Sequence, residues 1–308
     1  MNMRLNITSE SIVSNDLPTD IEGLEVLLGE LPPETAIRLR EKLSGMMNYR
    51  PRIGILGKTG AGKSSLCNAL FGQDVAAVNH VEACTRAPQE IHLSLGDKGG
   101  ITLVDLPGVG ESRERDDEYH SLYDEVLPTL DLVLWALKAD DRAYSVDEEF
   151  YTQVVKPHLD AGKPFFFVLT QADKIEPFRE WDIEKHQPGA KQRQNLDVRA
   201  SYVASSFGVP ASRVVAVSAA EQWQLSRLVE EVVFALPNDK KLGFVRQVQK
   251  EHVSERTRTE VKRGIGSVIA DTLKGAAAGA ALGARYAGKV GAFAGAVVGG
   301  IGGFFGLW

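Results

Sequence analysis

The residues best equipped for chemistry stand together at Gly57-Lys58-Thr59-Gly60-Ala61-Gly62-Lys63-Ser64: a glycine, four residues, then Gly-Lys-Ser. Glycines let the backbone curl until its N–H groups converge on phosphate oxygens, and a helix that starts at the lysine adds its positive end. Lys63 then reaches the β- and γ-phosphates, the Ser64 hydroxyl can ligate Mg2+, and Ser65 follows as the next residue of the cradle. Such a phosphate-binding loop works only between a strand and a helix. Arg52–Leu56 reads as a short buried strand and Ser65–Phe71 as the start of a helix, so the context agrees. A plain glycine turn between the same elements is the alternative, and the rest of the chain must decide.

Four further features extend the site. Asp105-Leu106-Pro107-Gly108 follows an apolar run; a carboxylate at the end of a neighbouring strand can hold Mg2+, and the Gly108 N–H can approach a γ-phosphate. Thr85 is the only threonine between Phe71 and Gly100, and the one serine there, Ser94, falls inside a predicted strand. Thr85 is therefore the candidate hydroxyl for the metal, against the plainer reading of a solvated loop residue. Thr170-Gln171-Ala172-Asp173 follows another strand. There a carboxylate can accept both N1–H and the 2-amino group of guanine, whereas adenine has neither donor and would leave it unpaired at a cost. Ser218-Ala219-Ala220, after the last strand, offers a backbone N–H to the guanine O6. Lys63, Thr85 and Gly108 are the groups expected at the reacting phosphate, and Ser64, Thr85 and Asp105 those expected at the metal.

The elements that must position these residues alternate. Apolar runs at 53–56, 91–95, 101–104, 132–137, 165–169 and 214–217 are short and rich in branched or aromatic residues, and amphipathic stretches separate most of them. That alternation predicts an α/β domain over 51–237 with a doubly wound, mostly parallel sheet covered on both faces. Runs 91–95 and 101–104 are separated only by Gly96-Asp97-Lys98-Gly99-Gly100, so they are expected to form an antiparallel edge hairpin. Ligands of such sheets bind beyond the carboxyl ends of the strands, where every cluster above falls.

Taken as an ordered set, Gly57–Ser64, Thr85, Asp105–Gly108, Thr170–Asp173 and Ser218–Ala220 resemble the five motifs of translation-factor-class P-loop GTPases, and among them the Era/TrmE branch. The phrases Gly62–Phe71, Ala83-Cys84-Thr85-Arg86 and Leu132-Val133-Leu134-Trp135 are similar to the prophage-encoded Era-like GTPases of enterobacteria. The resemblance covers about 51–237 and implies a G domain that binds GTP or GDP with Mg2+ and hydrolyses GTP. The chain departs from the family at three points. Thr170-Gln171 stands where Asn-Lys is usual, so the lysine that packs along the guanine is missing. Val109 follows Gly108 where Ras-like proteins carry the water-orienting glutamine, so water must be placed by other groups, an activating partner or a second G domain. Gly60 replaces the asparagine with which some members hold potassium. Arg113 and Arg115 read first as part of a solvated mixed-charge loop.

The flanks are different in kind. Residues 1–17 read as a polar arm and 18–50 as a helical hairpin, whose second helix starts at Pro32-Pro33 and runs to about Met47 with Ile37, Leu39, Leu43 and Met46 on one side. Residues 238–263 read as a connecting helix. From 264 to 308 the chain is rich in Gly and Ala, with glycines at 275, 279, 283, 291, 295, 299 and 303. Small residues every fourth position let helices approach closely, as in membrane helix pairs. Residues 290–308 carry no charge and as a helix would span about 28 Å, near the thickness of a bilayer core. Membrane association through 264–308 is thus an expectation, with soluble packing or flexible chain as alternatives; a bilayer-perturbing effector and an ATPase are two further readings. The net charge of −6 argues against a nucleic-acid binder that works by neutralising phosphates. Two cysteines without metal-ligand spacing and no apolar leader point to the cytoplasm, or its inner-membrane face.

Overall fold

A computed structural model describes residues 28–29, 31–72, 89–94, 100–105, 116–141, 144–159 and 162–277. Residues 44–264 form one compact unit, and the described residues 28–43 and 265–277 belong to another. Helix α1 is Pro33–Asn48, β1 Arg52–Leu56, α2 Lys63–Phe71, β2 Gln89–Ser94, β3 Gly100–Asp105, α3 Asp116–Val126 and β4 Leu132–Lys138. There follow α4 Ser145–Phe150, a π-helical turn Tyr151–Val155, α5 Lys156–Leu159, β5 Phe165–Thr170, α6 Ala190–Phe207, β6 Val214–Ala216, α7 Leu225–Ala235, α8 Lys241–Val245 and α9 Glu255–Ala277.

The six strands lie in the order β2-β3-β1-β4-β5-β6. β1 pairs in parallel with both β3 and β4, and β5 with β4 and β6, while β2 runs antiparallel to β3 as the hairpin expectation requires. Five strands therefore point their carboxyl ends the same way, and β1, which leads into the P-loop, sits in the middle. Each strand of β4 and β5 is buried along nearly its whole length, which is why they read as continuous apolar runs rather than as alternation. Their aromatic side chains build the core. Trp135 packs on Phe167 with ring centroids 5.6 Å apart, and Phe167 on Phe207 of α6 at 4.3 Å.

Two expectations are corrected. Ile37 is 53% exposed, and the buried stripe of α1 is Ala36, Leu39, Leu43 and Met46. Those four follow the i, i+3, i+7, i+10 spacing, and Ile37 lies one residue, about 100°, off Ala36. The stretch expected as one connecting helix is broken: α8 ends at Val245, a 3-10 turn covers Lys250–His252, and α9 begins at Glu255 and runs past 263 to Ala277. The break occurs because Gln249 spends its backbone and side-chain donors on other carbonyls. Ser254 then restarts the helix as its cap, accepting the Thr257 N–H at 3.1 Å.

Candidate functional site

The P-loop joins the central strand to α2. Gly57 has φ +136°, and a Cβ there would collide with the Ala136 carbonyl oxygen of β4, so only glycine lets the loop leave the sheet at this point. The Ala61 N–H closes a turn on the Lys58 carbonyl at 3.0 Å. Gly62 precedes α2 in a left-handed conformation and, having no side chain, gives the first-turn N–H groups of the helix no cap of its own. Lys63 lies along the loop, its ammonium donating to the Gly57 carbonyl at 2.8 Å with two further protons to give. Ser64 and Ser65 are exposed. A cradle of this form fits a polyphosphate.

Two strand ends close on the loop from the far side. Thr170, 4% exposed at the end of β5, directs its hydroxyl at the Ala61 carbonyl at 2.6 Å, with the Leu137 carbonyl at 3.1 Å. Gln171 donates to the Gly60 carbonyl at 3.1 Å and accepts from Lys174 at 2.9 Å. Asp173 accepts the Ser218 hydroxyl at 2.5 Å, and Ser218, fully buried, also accepts the Glu221 N–H at 3.2 Å. The Ala172 N–H bonds to the Val217 carbonyl at 3.1 Å. Thus the structure brings Gly57–Ser65, Thr170, Gln171, Asp173, Ser218 and Ala219 to one end of the sheet. Asp105 ends β3, level with Ile55 of β1. Thr85 and Gly108, with Val109, Arg113 and Arg115, lie outside the described residues.

Residues 52–171 match the family model of the 50S ribosome-binding GTPases. The chain is 40% identical over 262 residues to the uncharacterized protein YkfA of Escherichia coli (strain K12), a match that covers 84% of this chain and 87% of that protein. It is 30% identical over 128 residues to the GTPase Era of Aquifex aeolicus (strain VF5), covering 41% of this chain and 42% of Era. The chain belongs to the Era/TrmE-type P-loop GTPases. A solved structure of Aquifex aeolicus Era bound to GDP and AlF4− aligns with 60% of this GTPase and 56% of that chain, at a TM-score of 0.43 and 25% identity. As a P-loop GTPase the protein takes guanine nucleotide with Mg2+ and hydrolyses GTP.

The GTPase also holds its P-loop in a way the sequence did not announce. Lys58 forms an ion pair with Asp147 of α4 at 2.6 Å, the carboxylate being 1% exposed. Burial pushes the Asp147 carboxyl above its ordinary value, and the Lys58 ammonium pulls the other way. Asp147 stands in Ser145-Val146-Asp147-Glu148-Glu149-Phe150, where acidic residues in a first helical turn are ordinary, so nothing marks this one out. Beside the pair is a cavity of about 310 Å3, lined by Lys58, Thr59, Ala61, Lys138, Asp140 and Asp141. Thr170-Gln171 is the second surprise. In sequence the pair reads as the loss of a base-packing lysine; in the fold both side chains tie the end of β5 to the P-loop. The only signal was position, since residues that immediately follow a strand next to a P-loop strand are within reach of that loop.

Proposed function

We propose that this GTPase is a Mg2+-dependent switch in which the phosphate end and the base end of one nucleotide are read by separate, linked clusters. Gly57 to Ser65 hold the phosphates, Lys63 balancing the charge that develops on them. Ser64 and Asp105, with Thr85, are the metal's protein ligands, and Thr85 and the Gly108 N–H sense the γ-phosphate. Asp173, held by Ser218, selects guanine, and the Ala219 N–H faces its O6. The observation that supports this reading most is the closed set of bonds from Thr170 and Gln171 to the P-loop and from Ser218 to Asp173. These hold a carboxylate and a phosphate cradle on one rigid frame.

With Val109 in place of a glutamine, turnover is slow until an activating protein or a second G domain orients the water. The domain division proposed is 1–50, a G domain from 51 to 237, a following segment 238–263, and the Gly/Ala-rich 264–308. That last segment associates with a membrane from the cytoplasmic side, a reading carried by its glycine spacing. No described helix is long and apolar enough to cross a membrane; the charge-free stretch 290–308 lies outside the described residues.

The test is GTP hydrolysis and nucleotide binding by the full chain with and without Mg2+, beside Lys63→Ala. GDP is expected to bind far more tightly than ADP, and the variant to lose turnover; equal binding of GDP and ADP would sink the guanine reading. Flotation with lipid vesicles, loaded with GTP analogue or GDP, beside a chain ending at Arg263, tests the tail. Flotation by neither protein removes the membrane reading.

A further inference from the structure

Helix α2 carries Lys63 and Ser64 in its first turn, and its last turn presents carbonyls that no residue of the helix can satisfy. Three of these are taken by one short segment from the other end of the chain. The Gln249 side-chain amide lies 3.1 Å from the Asn68 carbonyl and 2.7 Å from that of Ala69, and its backbone N–H donates to Leu70 at 2.9 Å. His252, 4% exposed, brings Nε2 to 3.0 Å from the same Ala69 carbonyl, so this nitrogen carries the proton. Phe244 adds an edge-on contact with Phe71 at 6.3 Å.

We propose that Gln249 and His252 are positioning residues for the phosphate site. They grip the far end of α2, hold Lys63 and Ser64 in register with the P-loop, and so couple phosphate binding to the start of α9. The inference rests on the P-loop being the phosphate site, as argued above. Its physical basis is leverage. A nine-residue helix is a rod about 13 Å long, and a misplacement of about 1 Å at a reacting phosphate costs on the order of 100-fold. A helix end is ordinarily closed by the residues that follow it. Here Gly72 supplies its N–H, to Asn68 at 2.9 Å, and among the described residues the other donors are Gln249 and His252, about 180 residues away and just ahead of Ser254, the cap of α9. Any displacement of α2 is therefore felt at Ser254 and Glu255. By linkage, whatever restrains α9 changes phosphate affinity by the same factor that phosphate changes the restraint.

Gln249→Glu keeps the shape and the backbone bond but turns two donor contacts into repulsions, whereas His252→Gln keeps a donor. With the full chain, Gln249→Glu is expected to raise the Kd for GDP with Mg2+ by about tenfold, which is about 1.4 kcal/mol. Guanosine, which lacks phosphates, should change by less than about twofold; His252→Leu, which loses the donor to Ala69, should weaken GDP in the same direction as Gln249→Glu, and His252→Gln should restore it in part. Hydrogen exchange in the parent should slow at residues 249–258 when GDP and Mg2+ are added, a readout that needs no variant to fold. Equal weakening of GDP and guanosine, unchanged GDP binding by a folded Gln249→Glu protein, or unaltered exchange at 249–258 would each overturn the proposal. A parent that does not prefer GDP to ADP would instead show that the guanine reading had failed; with GDP still bound, the phosphate arm stands.

Discussion

The P-loop of this GTPase is held from two sides by different physics. Towards β5 the anchorage is neutral: the Thr170 hydroxyl and the Gln171 amide meet the carbonyls of Ala61 and Gly60. Towards α4 it is charged: Lys58 reaches a carboxylate, Asp147, that is almost wholly buried. Neutral hydrogen bonds contribute roughly 1 kcal/mol each and vary little with pH or salt. A buried ion pair adds little when intact and costs a great deal when one partner is lost, because the other charge is then stranded. The neutral side therefore sets geometry, and leads directly to Asp173, the carboxylate proposed to read the base. The charged side makes the loop conditional on the protonation of one residue.

The largest effect is expected where the neutral side ends. Asp173→Asn should weaken GTP by at least about 100-fold while strengthening XTP, since an amide can donate where the carboxylate only accepts. Competition binding with both nucleotides measures it, and unchanged preference would detach Asp173 from the base.

Next is the charged side. Lys58→Met should destabilise the protein by about 1–3 kcal/mol at neutral pH, below the full cost of a buried pair because Lys58 is partly exposed. The sign of its pH dependence follows from Asp147. The carboxyl is raised above 3.8 in the folded protein, first by burial, so the folded chain holds this proton more tightly than the unfolded one. Its ionisation therefore costs stability as pH rises from that value through the folded pKa, and the cost is absent below the window. Removing Lys58 takes away the opposing influence and moves the window upward. Urea melts across pH should show the deficit of Lys58→Met shrinking as pH falls, and Asp147→Asn in the same chain should recover most of it. A deficit that is flat with pH would contradict the charged anchorage.

Smaller effects test the neutral anchorage itself. Thr170→Val removes one buried donor from between two carbonyls and should cost about 1–2 kcal/mol in a denaturant melt, with nucleotide released about fivefold faster. Gln171→Ala, at a half-buried site, should speed release only about twofold. If Gln171→Ala exceeded Thr170→Val, the division of labour between the two side chains would be reversed.

The local readings survived where a short pattern dictates its own structure. The runs at 53–56 and 165–169 are strands because their branched and aromatic residues fill a covered sheet, and the five-residue link at 96–100 leaves no length for a parallel crossover. Ile37 failed because an apolar residue beside a buried stripe looks like part of it until the helix has a defined inner face. The stretch 240–263 failed because its composition suits a helix throughout, while Gln249 and Ser254 find better partners in tertiary bonds and a cap. The P-loop contacts of Thr170-Gln171 were not legible because a motif compares letters, whereas the P-loop carbonyls ask only for a donor at the right distance.

Composition, spacing and periodicity are properties of neighbours along the chain, and they suffice for a phosphate loop, an α/β sheet and the order of its motifs. They also raise guanine as the expected base, because a carboxylate at one strand end only accepts and guanine alone of the purines in question offers it two donors. Partnership across the fold is another matter. Thr170 and Ala61 are 109 residues apart, and Gln249 and Asn68 are 181 apart. Which polar groups meet over such distances depends on strand order, on helix docking and on which donors burial leaves in want of an acceptor. The motif residues were chosen by chemistry, and the contacts that hold them were chosen by packing.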